Sequence, residues 1–182
     1  GLDLDRDLLD WIGHAGAFVR GTTPATLDGG VVIQASNEDR AADAFGRLVG
    51  AAQVMAKARA QPVDIAGADQ AFAISDGRSP RPIVLARGSG LVVITAGRPA
   101  AEAALGSDDR LGDTGLYAEA QELVGMEPSV LVGVPQLLEL MNASGRDPGF
   151  AQAQPYLDAY SVLAAGMVDD DGLIARLAAG LK

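Results

Sequence analysis

The sequence predicts an α+β fold, a mainly antiparallel sheet packed by helices, and three observations predict it. The order strand–strand–helix occurs twice, around residues 15–59 and 82–106. Long βαβ alternation, which a doubly wound parallel sheet would need, is missing. And "RPIVLARGSGLVVITAGRP" sets two valine- and isoleucine-rich runs about Gly88-Ser89-Gly90, the pattern of a tight hairpin.

Taken in order, "DLDRDLLDWIG" predicts a short helix with Leu4, Leu8, Trp11 and Ile12 on one face, stopped by Gly13 in the left-handed conformation. "AGAFVRG" and "GGVVIQAS" are predicted strands joined by the turn-rich "TTPATLDG". Ser36 then starts a long helix through a capping-box relative, Ser-Asn-Glu-Asp. Its apolar stripe runs Ala41, Phe45, Leu48, Val49, Ala52 and Met55, to about Arg59. "PVDIAG" and "QAFAISDG" are short strand candidates ahead of the 82–96 hairpin. Pro99 marks the first turn of a helix to Leu105, and Asp113 or Thr114 caps the next, which carries Leu116, Tyr117, Ala120, Leu123 and Val124. "PSVLVGV" is a strand, Pro135 opens the helix "PQLLELMNA", and "DPGFAQAQPYLDAY" reads as irregular helix interrupted before Pro155. The chain closes on two apolar runs about "DDDG", a second hairpin.

Composition bounds the rest. A chain of 182 residues with 48% apolar and 21% charged residues is ordinary globular material, read as a single domain over 1–182. Aromatics are only 4% and glycines number 23, so closely approaching elements are expected in place of a core built on large rings. The formal net charge of −10 opposes binding to phosphate backbones and to anionic membrane surfaces, and nucleic acid is not an expected partner. No apolar run reaches the length of a membrane span. The absence of cysteine removes disulfides, thiolate catalysis and cysteine-based zinc sites together. Without an initiator methionine, "GLDLDRD" reads as the start of an excised or processed piece.

Few residues carry recognisable chemistry. An EF-hand register that puts Gly172 at the glycine position places Asp169 and Asp171 as ligands, but sets Met167 and Ala178 where ligands are required. The three carboxylates Asp169, Asp170 and Asp171 are therefore read as a polar hairpin tip, and no metal site is expected. His14, the one histidine, follows Gly13 at the predicted helix end, where an imidazolium complements the helix dipole. Gly88-Ser89-Gly90 lacks the third glycine of a dinucleotide loop, since position 93 is Val93. Acids cluster as Asp5, Asp7 and Asp10 and as Asp108, Asp109 and Asp113, the raw material of a carboxylate pair. The sequence thus yields no catalytic residue and no cofactor site. "PIVLA" and "LVVIT", apolar on both faces, need two covers: helices on one side and, on the other, more protein, a second copy or an apolar ligand cavity.

Several stretches together resemble a mostly actinobacterial family catalogued as domain of unknown function 3352. "GLDLDRDLLDWIG" is similar to its opening, "GSGLVVITAGRPAAEAAL" to a strand and small-residue helix, and "LGDTGLYAEAQELVG" and "VLVGVPQLLELM" to the segments that follow. His14 departs from the acidic or small polar residue expected there. The resemblance implies a location outside the cytoplasm, secreted or membrane-anchored in a longer protein, and supplies no catalytic residues. From these readings the expected function is a non-enzymatic extracytoplasmic binding or protein-interaction module with a protein or apolar small-molecule partner. The alternatives are a carrier of a lipid-like ligand beside the 82–96 hairpin and a carboxylate-dependent hydrolase.

Overall fold

A computed structural model describes residues 10–75, 77, 79–106, 111–145, 148–169 and 173–182. The fold class is the expected α+β, and its strands are shared between two antiparallel sheets in two compact units. The first unit holds Gly1–Arg20 and Asp28–Ser107, the second Gly21–Leu27 and Asp108–Lys182.

In the first unit, β1 (Ile12–Arg20) and β2 (Asp28–Ala35) form a hairpin followed by the helix α1 (Glu38–Ala56). Four strands then run as a meander: β3 (Gln61–Pro62), β4 (Gln70–Ile74), β5 (Ile83–Gly88) and β6 (Leu91–Ala96), with α2 (Arg98–Leu105) after them. The sheet order is β1-β2-β6-β5-β4-β3. β2 therefore pairs with β6, Val32 opposite Val93, and α1 carries the chain across one face from β2 to β3 at the far edge. Its 19 residues span about 28 Å at about 1.5 Å each, enough to cross four inter-strand gaps of about 4.8 Å.

Strict alternation divides this sheet into two apolar faces. Ile33, Ile74, Leu85 and Val92 meet Trp11, Ala41, Ala44, Phe45 and Val49 on the α1 side. Ala71, Val84, Ala86 and Val93 meet Ile65, Ala101 and Leu105 on the α2 side. The two-faced hairpin is thus covered on both sides by this chain's own helices, where the sequence left the second cover open. Small residues make this close packing work: Ala100 and Ala101 are fully buried, so α2 approaches the sheet at alanine distance. The β5–β6 connection is the two-residue turn Ser89-Gly90, both at positive φ (52° and 75°), which matches the right-handed twist of the flanking strands. Gly88 must also be glycine, because a Cβ there would collide with the Gly67 carbonyl.

Three local readings need correction. Trp11 is in a turn and Ile12 already begins β1, so Gly13 sits at a register shift between Ile12 and His14 and is not a helix stop (residues 1–9 lie outside the described residues). The α1 cap is Asn37, whose side chain accepts from the Arg40 N–H at 3.0 Å, while the Ser36 hydroxyl donates to the Asp10 carbonyl. The helix ends at Ala56 with Lys57 in the left-handed conformation, its last turn closed by Lys57 N–H to Val54 O and Ala58 N–H to Gln53 O. Met55, within the last turn, lies outside the buried face and is 84% exposed, while Ala52 and Ala56 pack against the core.

The second unit is built on the sheet β7-β8-β9: β7 (Val130–Gly133), β8 (Tyr160–Asp169) and β9 (Leu173–Leu181). α3 (Gly115–Val124) packs on one face, Ala120 and Val124 against Val162 and Ala164. Thr114 caps it by accepting from the Tyr117 N–H, and the Arg176 guanidinium donates to the Val124 carbonyl at its C-terminal end, where a cation suits the helix dipole. α4 (Val134–Ser144) and α5 (Pro148–Leu157) pack on the other face through Val134, Leu138 and Phe150 against Leu163 and Tyr160. α5 continues through Pro155, contrary to the predicted interruption. Pro155 costs that turn one hydrogen bond, and the buried Phe150 with the half-buried Leu157 holds the helix in place regardless.

Candidate functional site

Two surface features stand out, one in each unit. In the first, a cleft of about 310 Å³ opens beside the 82–96 hairpin. Glu38 and Ala41 of α1, Asp69, Arg87 and the turn Gly88-Ser89-Gly90 line it, over Leu91 and Val92. Its frame is fixed by backbone bonds, Asp69 N–H to Arg87 O at 2.8 Å and Ala35 N–H to Gly90 O at 2.9 Å. Arg87 donates through Nε to Gln70 Oε1 at 3.2 Å, which orients the guanidinium along the wall. Two carboxylates, one guanidinium and a glycine-rich rim suit a small polar or zwitterionic group better than an acyl chain.

The second feature is the face of β7-β8-β9 that α4 and α5 cover only in part. The register lines up Val130, Ala165 and Leu177 in one row across the three strands, and Met167 with Ala175 in the next. Val130 is 55%, Met167 59% and Leu177 84% exposed, a contiguous apolar strip on a sheet whose opposite face is packed by α3. Exposed apolar side chains scattered singly need no explanation, whereas a row across paired strands presents one continuous surface.

The residues singled out from the sequence fall elsewhere. His14 is the third residue of the exposed edge strand β1, opposite Gln34 and next to the register shift, and not at a helix end where it would complement a dipole. Asp10 forms an ion pair with Arg40 at 3.4 Å and Asp113 lies in the short 3-10 turn Leu111–Asp113. Their proposed companions Asp5, Asp7, Asp108 and Asp109 lie outside the described residues. So do Asp170, Asp171 and Gly172, but the flanking elements are paired strands, with Asp169 opposite Leu173, as in a hairpin and unlike the helices that flank an EF-hand loop. Among the described residues no group of three His, Asp or Glu side chains is placed to hold a metal ion. No described helix is long and apolar enough to cross a membrane.

The clearest electrostatic pair is structural. Arg20 donates from Nε and Nη2 to the two carboxylate oxygens of Asp28, at 2.6 and 3.0 Å, and from Nη2 to the Pro99 carbonyl at 2.7 Å. Hydrogen bonding to Asp28 raises the guanidinium pKa, and the three bonds together tie the β1–β2 hairpin to the start of α2. The Tyr117 phenol is held above its ordinary value by partial desolvation and by the neighbouring Glu127 carboxylate.

Comparison of the chain with protein-family models, curated proteins and solved structures finds no match. Sequence reading missed the apolar strip because β8 and β9 are apolar on both faces. Periodicity cannot say which face a neighbouring helix will cover.

Proposed function

We propose that this chain is a non-enzymatic binding and protein-interaction module that works outside the cytoplasm, docking a partner protein on the open face of its second sheet. The observation that carries the reading is the row Val130–Ala165–Leu177 with Met167 beside it, apolar and exposed on strands whose other face is already packed. Covering such a side chain contributes about 1.5–3 kcal/mol, so a few anchors suffice for a specific complex. The net charge of −10 directs the reading to proteins over nucleic acid or anionic lipid. The location rests on the resemblance of the opening and central segments to the actinobacterial family.

Photo-crosslinking tests it. A photoreactive residue placed at 130 or at 167, with a control on exposed Glu122 of α3, is expressed in the native host. Discrete protein adducts at 130 and 167 and none at 122 are expected. Equal labelling at all three positions, or reproducible turnover abolished by His14→Ala, would overturn the proposal.

A further inference from the structure

Among the described residues the two sheets have four edges, and three of them are blunted. β3 is two residues long and ends in Pro62, β7 is four residues long, and β1, nine residues like β9, is broken by a register shift between Ile12 and His14. Edges are blunted because an open row of N–H and C=O groups recruits another strand. β9 is the exception. It is nine residues long, has no proline and pairs through consecutive residues from Leu173 to Leu181, and its one charge, Arg176, is held on the α3 side by the Val124 carbonyl.

The direction of its backbone groups follows from bonds at both ends of the sheet. Lys182 N–H donates to Ala159 O, so the even-numbered residues of β9 bond to β8. Ser129 N–H donates to Ala165 O, so Ala165 turns towards β7, and Leu177 opposite it makes no ladder bond to β8. Backbone polarity alternates along a strand, so Ala175, Leu177, Ala179 and Leu181 direct their N–H and C=O groups to the open edge. These residues also belong to the partly covered apolar face.

The sequence along that edge is Leu173-x-Ala175-x-Leu177-x-Ala179-x-Leu181, the same read in either direction. Antiparallel pairing of a strand with its two-fold mate sets residue i opposite the residue equally far past the axis, so such a sequence is its own complement. We infer that β9 pairs with β9 of a second copy about a two-fold axis at Leu177, joining two three-stranded sheets into one of six strands. Leu177 then exchanges both backbone bonds with the mate's Leu177, and Ala175 lies opposite the mate's Ala179. Each protomer also brings Val130, Met167 and Leu177 to one doubled apolar face. Charge is compatible with the same edge: from Leu173 to Lys182 the sequence has Arg176 and Lys182 and no aspartate or glutamate, so in an acidic chain this segment adds no carboxylate side chain to the contact. The inference concerns the edge and does not depend on what docks on the face.

The absence of native cysteine makes the register testable. In a hydrogen-bonded antiparallel pair the Cα atoms are about 5.5 Å apart, within disulfide range. Leu177→Cys should therefore form a disulfide-linked dimer under mild oxidation. Ala179→Cys should not, because it faces the mate's Ala175, but a mixture of Ala175→Cys and Ala179→Cys chains should cross-link. Light scattering of the unmodified chain should give twice the chain mass at tens of micromolar, with dissociation at low salt. Leu177→Pro removes a donor that the monomer does not use, and should give a monomer with unchanged far-ultraviolet circular dichroism. Leu177→Arg should do the same without a backbone change. A chain that stays monomeric at every concentration, a dimer that survives both substitutions, or equal cross-linking from 177 and 179 would each overturn the inference.

Discussion

Phe45→Ala is the most informative single perturbation of the first unit. Phe45 is 1% exposed on the inner face of α1, and its ring lies 6.2 Å from that of Phe72, tilted by 34°. Truncating a buried phenylalanine costs about 3–5 kcal/mol, of which about 0.5–1.5 reflects the ring pair. With a urea slope of about 2 kcal/mol per molar, the midpoint should fall by about 2 M. Trp11, the one tryptophan, lies in the same cluster, so its fluorescence reports this core directly. The matched control is Met55→Ala, which continues the apolar stripe in sequence but lies outside the buried face. Its midpoint should move by less than the equivalent of about 0.5 kcal/mol. If Met55→Ala costs as much as Phe45→Ala, the assignment of α1's buried face is wrong.

Three further outcomes can be measured. Asn37→Ala should cost about 1 kcal/mol in the same titration, and Ser36→Ala less than about 0.5, because Asn37 and not Ser36 caps α1. Gly88→Ala should lie at the upper end of the range of about 1–3 kcal/mol seen for overpacking, since the new Cβ meets backbone of Gly67 and Ala68 that cannot rotate away; a neutral result would refute the close approach. The Tyr117 phenol should titrate above the ordinary value near 10 in near-ultraviolet absorbance, and Glu127→Gln should bring it down. The neutral phenol is the favoured form in the fold, so this stabilisation is complete below pH 10 and is lost as pH rises through the raised pKa.

Most of the fold was legible because its signals are local. Gly88-Ser89-Gly90 between β-branched runs specifies the hairpin by turn geometry alone, Thr114 specifies its helix start by side-chain chemistry, and the alternation of "IVLA" and "LVVI" specifies strands with two buried faces. The failures are places where tertiary contacts outweigh local preference. Trp11 and Ile12 fit a helical face, but pairing of β1 with β2 draws Ile12 into a strand. Pro155 marks a break, but packing around Phe150 carries the helix past it. The candidate surfaces were less legible still. The cleft joins residues from three separated stretches, and the row Val130–Ala165–Leu177 exists only once two registers are fixed. The palindrome in β9 was readable from the start, but it acquires meaning only when β9 is known to be an edge.

The pairing of β2 with β6 also sets an order of events during synthesis. The β1–β2 hairpin emerges early, yet its only lateral partner is β6, which follows α1 and the whole β3–β5 meander. At about 5–20 residues per second, the ribosome leaves that hairpin waiting for several seconds with the β6 side of Val32 and Ile33 open. Two-stranded ribbons are marginal by themselves, so the amino-terminal segment must remain largely unstructured, or be held by a chaperone, until residues 91–96 arrive and complete the sheet.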